Sequence, residues 1–173
     1  LLDIASGKLS EIAPGAKSAY DGGRFLPGGK SIVLLSDKDS DNMHLTEVDL
    51  ATGAHTALTP GLKWDVETFD ISDDGRVLAY SVNEDGYSVV HVRDMRTKRA
   101  LPQPRLPIAV LSGLKLSKDG SKLAIGLSTP KSAGDVWSWD VKAGKLTRWT
   151  TSELGGLDAE ALVEPKLVRF NSF

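Results

Sequence analysis

No cysteine occurs in the 173 residues, and that absence closes several routes at once. Without thiols there is no disulfide framework, no thiolate metal site and no cysteine nucleophile. The chain is compatible with a reducing or an oxidising compartment, cytoplasm or periplasm alike. Long apolar runs are missing too; none approaches the ~20 residues a bilayer-spanning helix needs. An excess of one charge is also lacking, because 21 Lys and Arg meet 23 Asp and Glu for a net charge of −2. That balance gives no electrostatic argument for nucleic acid or an anionic membrane, and neither is expected as a partner. No Walker-type loop and no dinucleotide glycine fingerprint is present, so no cofactor is expected. Helical 3.6-residue periodicity is absent, which excludes the helical solenoids.

What is present recurs. The turn glycines Gly29, Gly75 and Gly120 are spaced by 46 and 45. The aspartates Asp3, Asp49, Asp94 and Asp140 are spaced by 46, 45 and 46. A second glycine follows in Gly7, Gly53 and Gly144, with Lys98 in that slot of the middle copy. Asp-Gly or Gly-Gly between apolar runs supplies the positive φ angles of a tight hairpin. Aspartate at a strand end can accept hydrogen bonds from the next turn's backbone N–H groups. Four strands per unit at a period near 45 is the pattern of a β-propeller blade. The expected fold is all-β: a partial β-propeller of about three and a half four-stranded antiparallel blades.

The blades are placed by counting. Residues 1–12 read as a half blade, with strands at Leu1–Ile4 and Leu9–Ile12. Full blades are expected over 18–59, 66–101 and 110–150. Their strands fall near 18–26, 31–36, 44–50 and 55–59; 66–72, 76–82, 87–94 and 98–101; 110–117, 122–127, 135–141 and 145–150. The apolar runs Val77–Val82 and Lys122–Leu127 fit strands buried between neighbouring blades. The tightest turn is expected at Asp74-Gly75, with a looser loop over Asn83–Gly86, so Gly75→Val should destabilise more than Gly86→Val. Thr151–Ala161 breaks the pattern as a loop or short helical turn, and Pro165–Phe170 reads as one more strand. The chain looks cut at both ends.

Blades of the form apolar–Ser/Pro–Asp–Gly–Lys/Arg, then Asp-x-x-Thr/Ala-Gly, resemble two families: TolB-like propellers and the propeller of the prolyl oligopeptidase family of serine peptidases. The tail Glu164-Pro165-Lys166-Leu167-Val168-Arg169-Phe170-Asn171-Ser172-Phe173 is similar to the exit from the peptidase propeller in the acylaminoacyl-peptidase and dipeptidyl-peptidase branches. The resemblance implies that 151–173 leads toward a missing α/β-hydrolase domain. It also implies a propeller that caps that domain and restricts entry to small peptide substrates. The TolB-like alternative implies a module that binds a protein partner.

No residue is assigned a catalytic, cofactor-binding or metal role. A hydrolase of this family uses Gly-x-Ser-x-Gly. The nearest string, Gly126-Leu127-Ser128-Thr129-Pro130, ends in proline and reads as a strand entering a loop. The isolated chain should therefore show no peptidase or esterase activity. His44, His55 and His91 fall in different strands or blades; His44 and His55 are expected as neighbours across a hairpin, without an acidic partner. Asp37-Lys38-Asp39-Ser40-Asp41-Asn42 imitates an EF-hand start, but Asn42 and Val48 stand where calcium needs Gly and Glu. Trp137 and Trp139 share a strand face and are read, with Trp149, as inter-blade packing. Lys17, Arg24 and Lys30 are surface scatter. The open blade edges imply a homodimer, with Lys166–Phe170 available to pair with a partner strand.

Overall fold

The structure is a computed structural model that describes residues 1–171. Ser172 and Phe173, the end of the exit-like tail, lie outside the described residues. Two compact units divide the chain, Leu1–Val66 and Glu67–Phe173.

In the first unit, β1 (Tyr20–Phe25), β2 (Ser31–Ser36), β3 (His44–Asp49) and β4 (His55–Ala57) form one antiparallel meander in chain order. Every residue of β2 after Ser31 is buried. Ile32, Leu34 and Val48 make the core, and Tyr20 and Ile12 pack against it. The half blade over 1–12 is only partly formed. A single bridge, Leu2 to Leu9, replaces its two strands. Backbone bonds from Asp3 N to Lys8 O and between Leu1 and Ser10 flank that bridge, while Leu2, Ile4 and Leu9 stay exposed with no packed face beneath them.

The second unit carries two sheets. β8 (Val110–Leu116), β9 (Lys122–Thr129), β10 (Ser132–Asp140) and β11 (Lys145–Arg148) make the second four-stranded meander. β5 (Val66–Ile71), β6 (Val77–Glu84) and β7 (Tyr87–Asp94) form a sheet of only three strands. The fourth strand expected near 98–101 is reduced to one bridge, Arg93 to Ala100. Pro102, Pro104 and Pro107 follow at once and cannot donate to a ladder. One cluster joins the two sheets: Ala79, Val90 and Val92 pack with Leu123, Ile125 and Trp139. β6 is buried almost throughout, as expected. β9 is not: Lys122 and Ala124 are exposed and only its other face is packed.

The recurring residues set the turns. Asp49 accepts from the N–H groups of Ala51 at 3.0 Å and Thr52 at 2.8 Å. Asp140 does the same for Lys142 and Ala143. Asp94 accepts from Thr97 N–H at 2.7 Å. The residue one step further on is left-handed, with φ of 70° at Gly53 and 57° at Lys98. A left-handed side chain costs ~1–2 kcal/mol that glycine avoids. Lys98→Gly is therefore expected to stabilise the chain by about 0.5–1 kcal/mol after glycine's entropy cost. A urea midpoint at or below that of the parent would contradict this.

Two further expectations change. β6 runs to Glu84 and β7 starts at Tyr87, so Asp85-Gly86 is itself a two-residue hairpin turn, with φ of 54° and 88°. Gly75, at φ 70°, closes the four-residue turn from Ser72. The ranking of Gly75→Val over Gly86→Val loses its basis, since both sites demand positive φ. Pro165–Phe170 is not a strand. The tail runs as irregular chain, Arg169 pairs with Asp85, and Val168 and Phe170 stay exposed. A short 3₁₀ turn, Ala159–Ala161, stands where a helical turn or loop was expected. No helix of the described residues is long and apolar enough to cross a membrane.

Candidate functional site

In an up-down-up-down blade the two kinds of turn separate by end. Ser-Asp-Asp-Gly and Asp-x-x-Gly turns close one end. The hairpin between second and third strands, and the chain leaving the fourth, meet at the other. Cavities gather at that second end in each unit. One of about 380 Å³ in the first unit is lined by Lys38, Asp39, His44, Thr59 and Gly61. One of about 390 Å³ in the second is lined by Lys131, Ser132, Trp137, Arg148, Ser152 and Leu154.

The second cavity is the more built of the two. Its hub is Asp135, whose side chain is 2% exposed. The β10–β11 register sets Trp137 opposite Arg148, which brings Thr150 opposite Asp135 and Arg148 diagonal to it. Arg148 Nη2 donates to Asp135 Oδ2 at 2.5 Å. Thr150 Oγ1 and Ser152 N donate to Oδ1 at 3.0 and 2.7 Å. The Ser132 hydroxyl donates to Oδ2. Arg148 also lies 5.5 Å over the Trp137 ring and donates from Nε to Thr150 O. Lys131 reaches Glu160 at 3.2 Å. The last strand and the chain beyond it are thus clamped onto the β9–β10 hairpin.

These contacts decide what the site can do. The Ser132 hydroxyl, foremost, with Arg148, Thr150 and Ser152 N–H, holds the Asp135 carboxyl down to about 2. Such a carboxylate is a poor proton acceptor at neutral pH. No histidine lines the cavity. The arrangement suits binding and positioning rather than proton transfer.

Asp94 and Asp119 are likewise held to about 2, by Thr97 N–H and the Ser117 hydroxyl first. Their folded values lie below the unfolded ~3.9. The stability they contribute is complete above that value and is lost as pH falls through the folded one. Denaturant midpoints should stay level from pH 7 to about 5 and fall steeply between pH 4 and 2. Asp135→Asn should start lower at pH 7 and flatten that fall; an unchanged slope would remove Asp135 from the account.

The residues singled out in the sequence are dispersed. His44 pairs across to Ser36 and His55 to Val48, so they sit at opposite ends of β3. The expected hairpin neighbourhood is wrong because the turn at Asp49 fixes the register. His55 Nδ1 lies 2.8 Å from Gly53 O and its Nε2 3.2 Å from the Tyr20 hydroxyl. His91 stacks on Tyr80 and lies 3.7 Å from Glu84. Asp37 accepts from Ala19 N and Asp39 pairs with Lys38. Among the described residues no three His, Cys, Asp or Glu side chains converge as metal ligands. The Ser128 hydroxyl donates to Ala133 O inside the β9–β10 hairpin. Trp139 is buried in the inter-sheet cluster and Trp137 packs against it. Trp149 is on the open face instead, 69% exposed, and donates to Ser138 Oγ. Lys17, Arg24 and Lys30 are exposed, and Arg24 donates to Gly23 O. Asp135 escaped the sequence reading; its signal was a carboxylate facing Thr150 once the strands are counted in register.

The chain matches no protein-family model and none of the curated proteins. Solved structures do match. TolB from Acinetobacter baumannii aligns at 21% identity and a TM-score of 0.65, over 88% of this chain and 37% of that one. Puromycin hydrolase aligns at 21% and 0.70, over 93% and 25%. Prolyl oligopeptidase B from Galerina marginata aligns at 10% and 0.74, over 92% and 23%. The fold is a partial β-propeller. It is the architecture shared by the TolB and prolyl oligopeptidase structures, and at these identities the likeness concerns fold alone. The chain spans between 23% and 37% of the lengths of those three proteins.

Proposed function

We propose that this propeller segment is the non-catalytic part of a serine peptidase of the prolyl oligopeptidase family. In that role it caps an α/β-hydrolase domain and gates access of small peptides. The supporting observation is the clamp at Asp135. It fixes the departing chain at the blade end that also holds the cavities. A domain following that chain would start against the cavities, and their walls would meet its substrate. The tail's similarity to the family's propeller exit points the same way. A TolB-like protein-binding module is the second reading, favoured by the TolB likeness.

The test is to express the chain alone and together with whatever residues follow Phe173 in its gene. Both products meet a fluorophosphonate serine probe and chromogenic aminoacyl and acyl-peptide substrates. The chain alone should neither label nor turn over, and the longer product should do both. A longer product without a labelled serine would overturn the peptidase reading. Turnover by the chain alone that survives replacement of every serine would overturn the division of labour.

A homodimer belongs to the same proposal. Val136 is 47% exposed where its repeat counterpart Val90 is 2% exposed. The packed face of one blade is thus the open face of the next. Light scattering should give twice 18.5 kDa; a single-chain mass at all concentrations would remove the dimer.

A further inference from the structure

The second sheet lacks a fourth strand, yet its outer edge is not simply bare. β6 and β7 pair without a break from Val77–Asp94 to Glu84–Tyr87. In such a ladder alternate residues of β7 turn their backbone groups away from β6. Those residues are Ser88, Val90, Val92 and Asp94, and the N–H groups of three of them have acceptors. Ser88 N donates to Ala109 O at 3.0 Å and Asp94 N to Arg99 O at 2.9 Å. Val92 is met by a side chain: its N–H donates to Gln103 Oε1 at 2.7 Å, and Gln103 Nε2 donates back to Val92 O at 2.8 Å. Leu101 N also donates to Val92 O at 2.9 Å, so what the Gln103 amide supplies in place of the missing strand is the acceptor for Val92 N–H.

Val90 is the exception. Among the described residues no hydrogen bond accounts for its outward N–H and C=O, although the residue is only 2% exposed. A cavity of about 200 Å³ lies there, lined by Tyr87, Val90, Pro104, Leu106, Pro107 and Ile108. No charged side chain lines it. The flanking prolines carry no N–H and so cannot donate to Val90 C=O.

We propose that this gap binds an extended, uncharged apolar peptide segment of a partner protein by strand addition to β7. One main-chain amide of the guest accepts from Val90 N–H and donates to Val90 C=O. The lining selects for apolar side chains and against charge, since a charge there would be desolvated without a counter-ion. Gln103 and Ala109 bound the slot at either end, so the guest pairs over only one or two residues. This inference rests on neither function proposed above.

Amide exchange by NMR tests it with the whole chain. In the free protein Val90 should exchange at least tenfold faster than Val92. Adding the blocked peptide Ac-Val-Ala-Val-Ala-NH2 should slow Val90 at least tenfold and give saturable shifts at Val90 and Ile108. The same peptide with methylated backbone nitrogens should not. Ile108→Asp, at a half-exposed lining position, should weaken binding at least tenfold while leaving the fold's spectrum intact. Three results would overturn the proposal: Val90 as protected as Val92 before peptide is added, no saturable shift, or equal binding of the methylated peptide.

Discussion

Gly120→Ala is expected to cost about 3 kcal/mol, against about 1 kcal/mol for Gly29→Ala. The two glycines occupy the same slot of their repeats and have nearly the same left-handed backbone, φ 68° and 64°. The conformational penalty of a side chain is therefore common to both, about 1 kcal/mol. What differs is the space. A Cβ on Gly120 would lie 2.7 Å from Val77 Cγ2, 2.9 Å from Val77 Cβ and 3.1 Å from Ser72 Cβ. A Cβ on Gly29 meets nothing within 4 Å. Val77 cannot swing away easily, because it is buried in the cluster between the two sheets. Overpacking of this kind adds about 1–3 kcal/mol. Urea unfolding of the two single variants measures the difference. Val77→Ala should relieve part of the cost in the Gly120→Ala background, a coupling that backbone strain alone would not produce. Equal losses at the two glycines would mean that the turn of one blade does not bear on the next.

Much of this architecture was legible in the sequence. The period fixed the blade count, and Asp49, Asp94 and Asp140 marked turns that the structure shows in hydrogen-bonded detail. Strand positions followed because turn chemistry is local. What failed was non-local. The fourth strand of the second sheet looked complete by spacing, but three prolines and the Gln103 side chain replaced its ladder. Pro165–Phe170 had a strand's composition but joins no ladder, running instead as irregular chain with Arg169 paired to Asp85. Asn83–Gly86 looked like a loop because polar residues can extend a hairpin when the two-residue turn beyond them is tight. The candidate site was the least legible part. Asp135 gains its partners from residues 13 to 17 positions away, through strand register and the path of the departing chain.

Asp70 offers the second large effect, and it joins two sheets directly. Its carboxylate is 2% exposed, accepts from Lys115 Nζ at 3.0 Å and from Leu116 N at 2.9 Å. Lys115 holds the same repeat slot one period on, so a single position carries opposite charges in successive blades. The carboxylate is buried while Lys115 is 65% exposed, and that asymmetry decides the ranking. Asp70→Ala should cost about 3 kcal/mol, because it leaves the buried Leu116 N–H without its acceptor and opens a hole at the sheet junction. Asp70→Asn keeps an oxygen for Leu116 and should cost about 1–2 kcal/mol. Lys115→Ala should cost under about 1 kcal/mol, as for other solvent-exposed ion-pair partners. Urea midpoints of the three variants give the order. If Lys115→Ala matched Asp70→Ala, the ion pair would be the clasp; the geometry assigns that role to the bond from Asp70 to the backbone of β8. A loss under about 0.5 kcal/mol for Asp70→Ala would show that apolar packing alone holds the two sheets together.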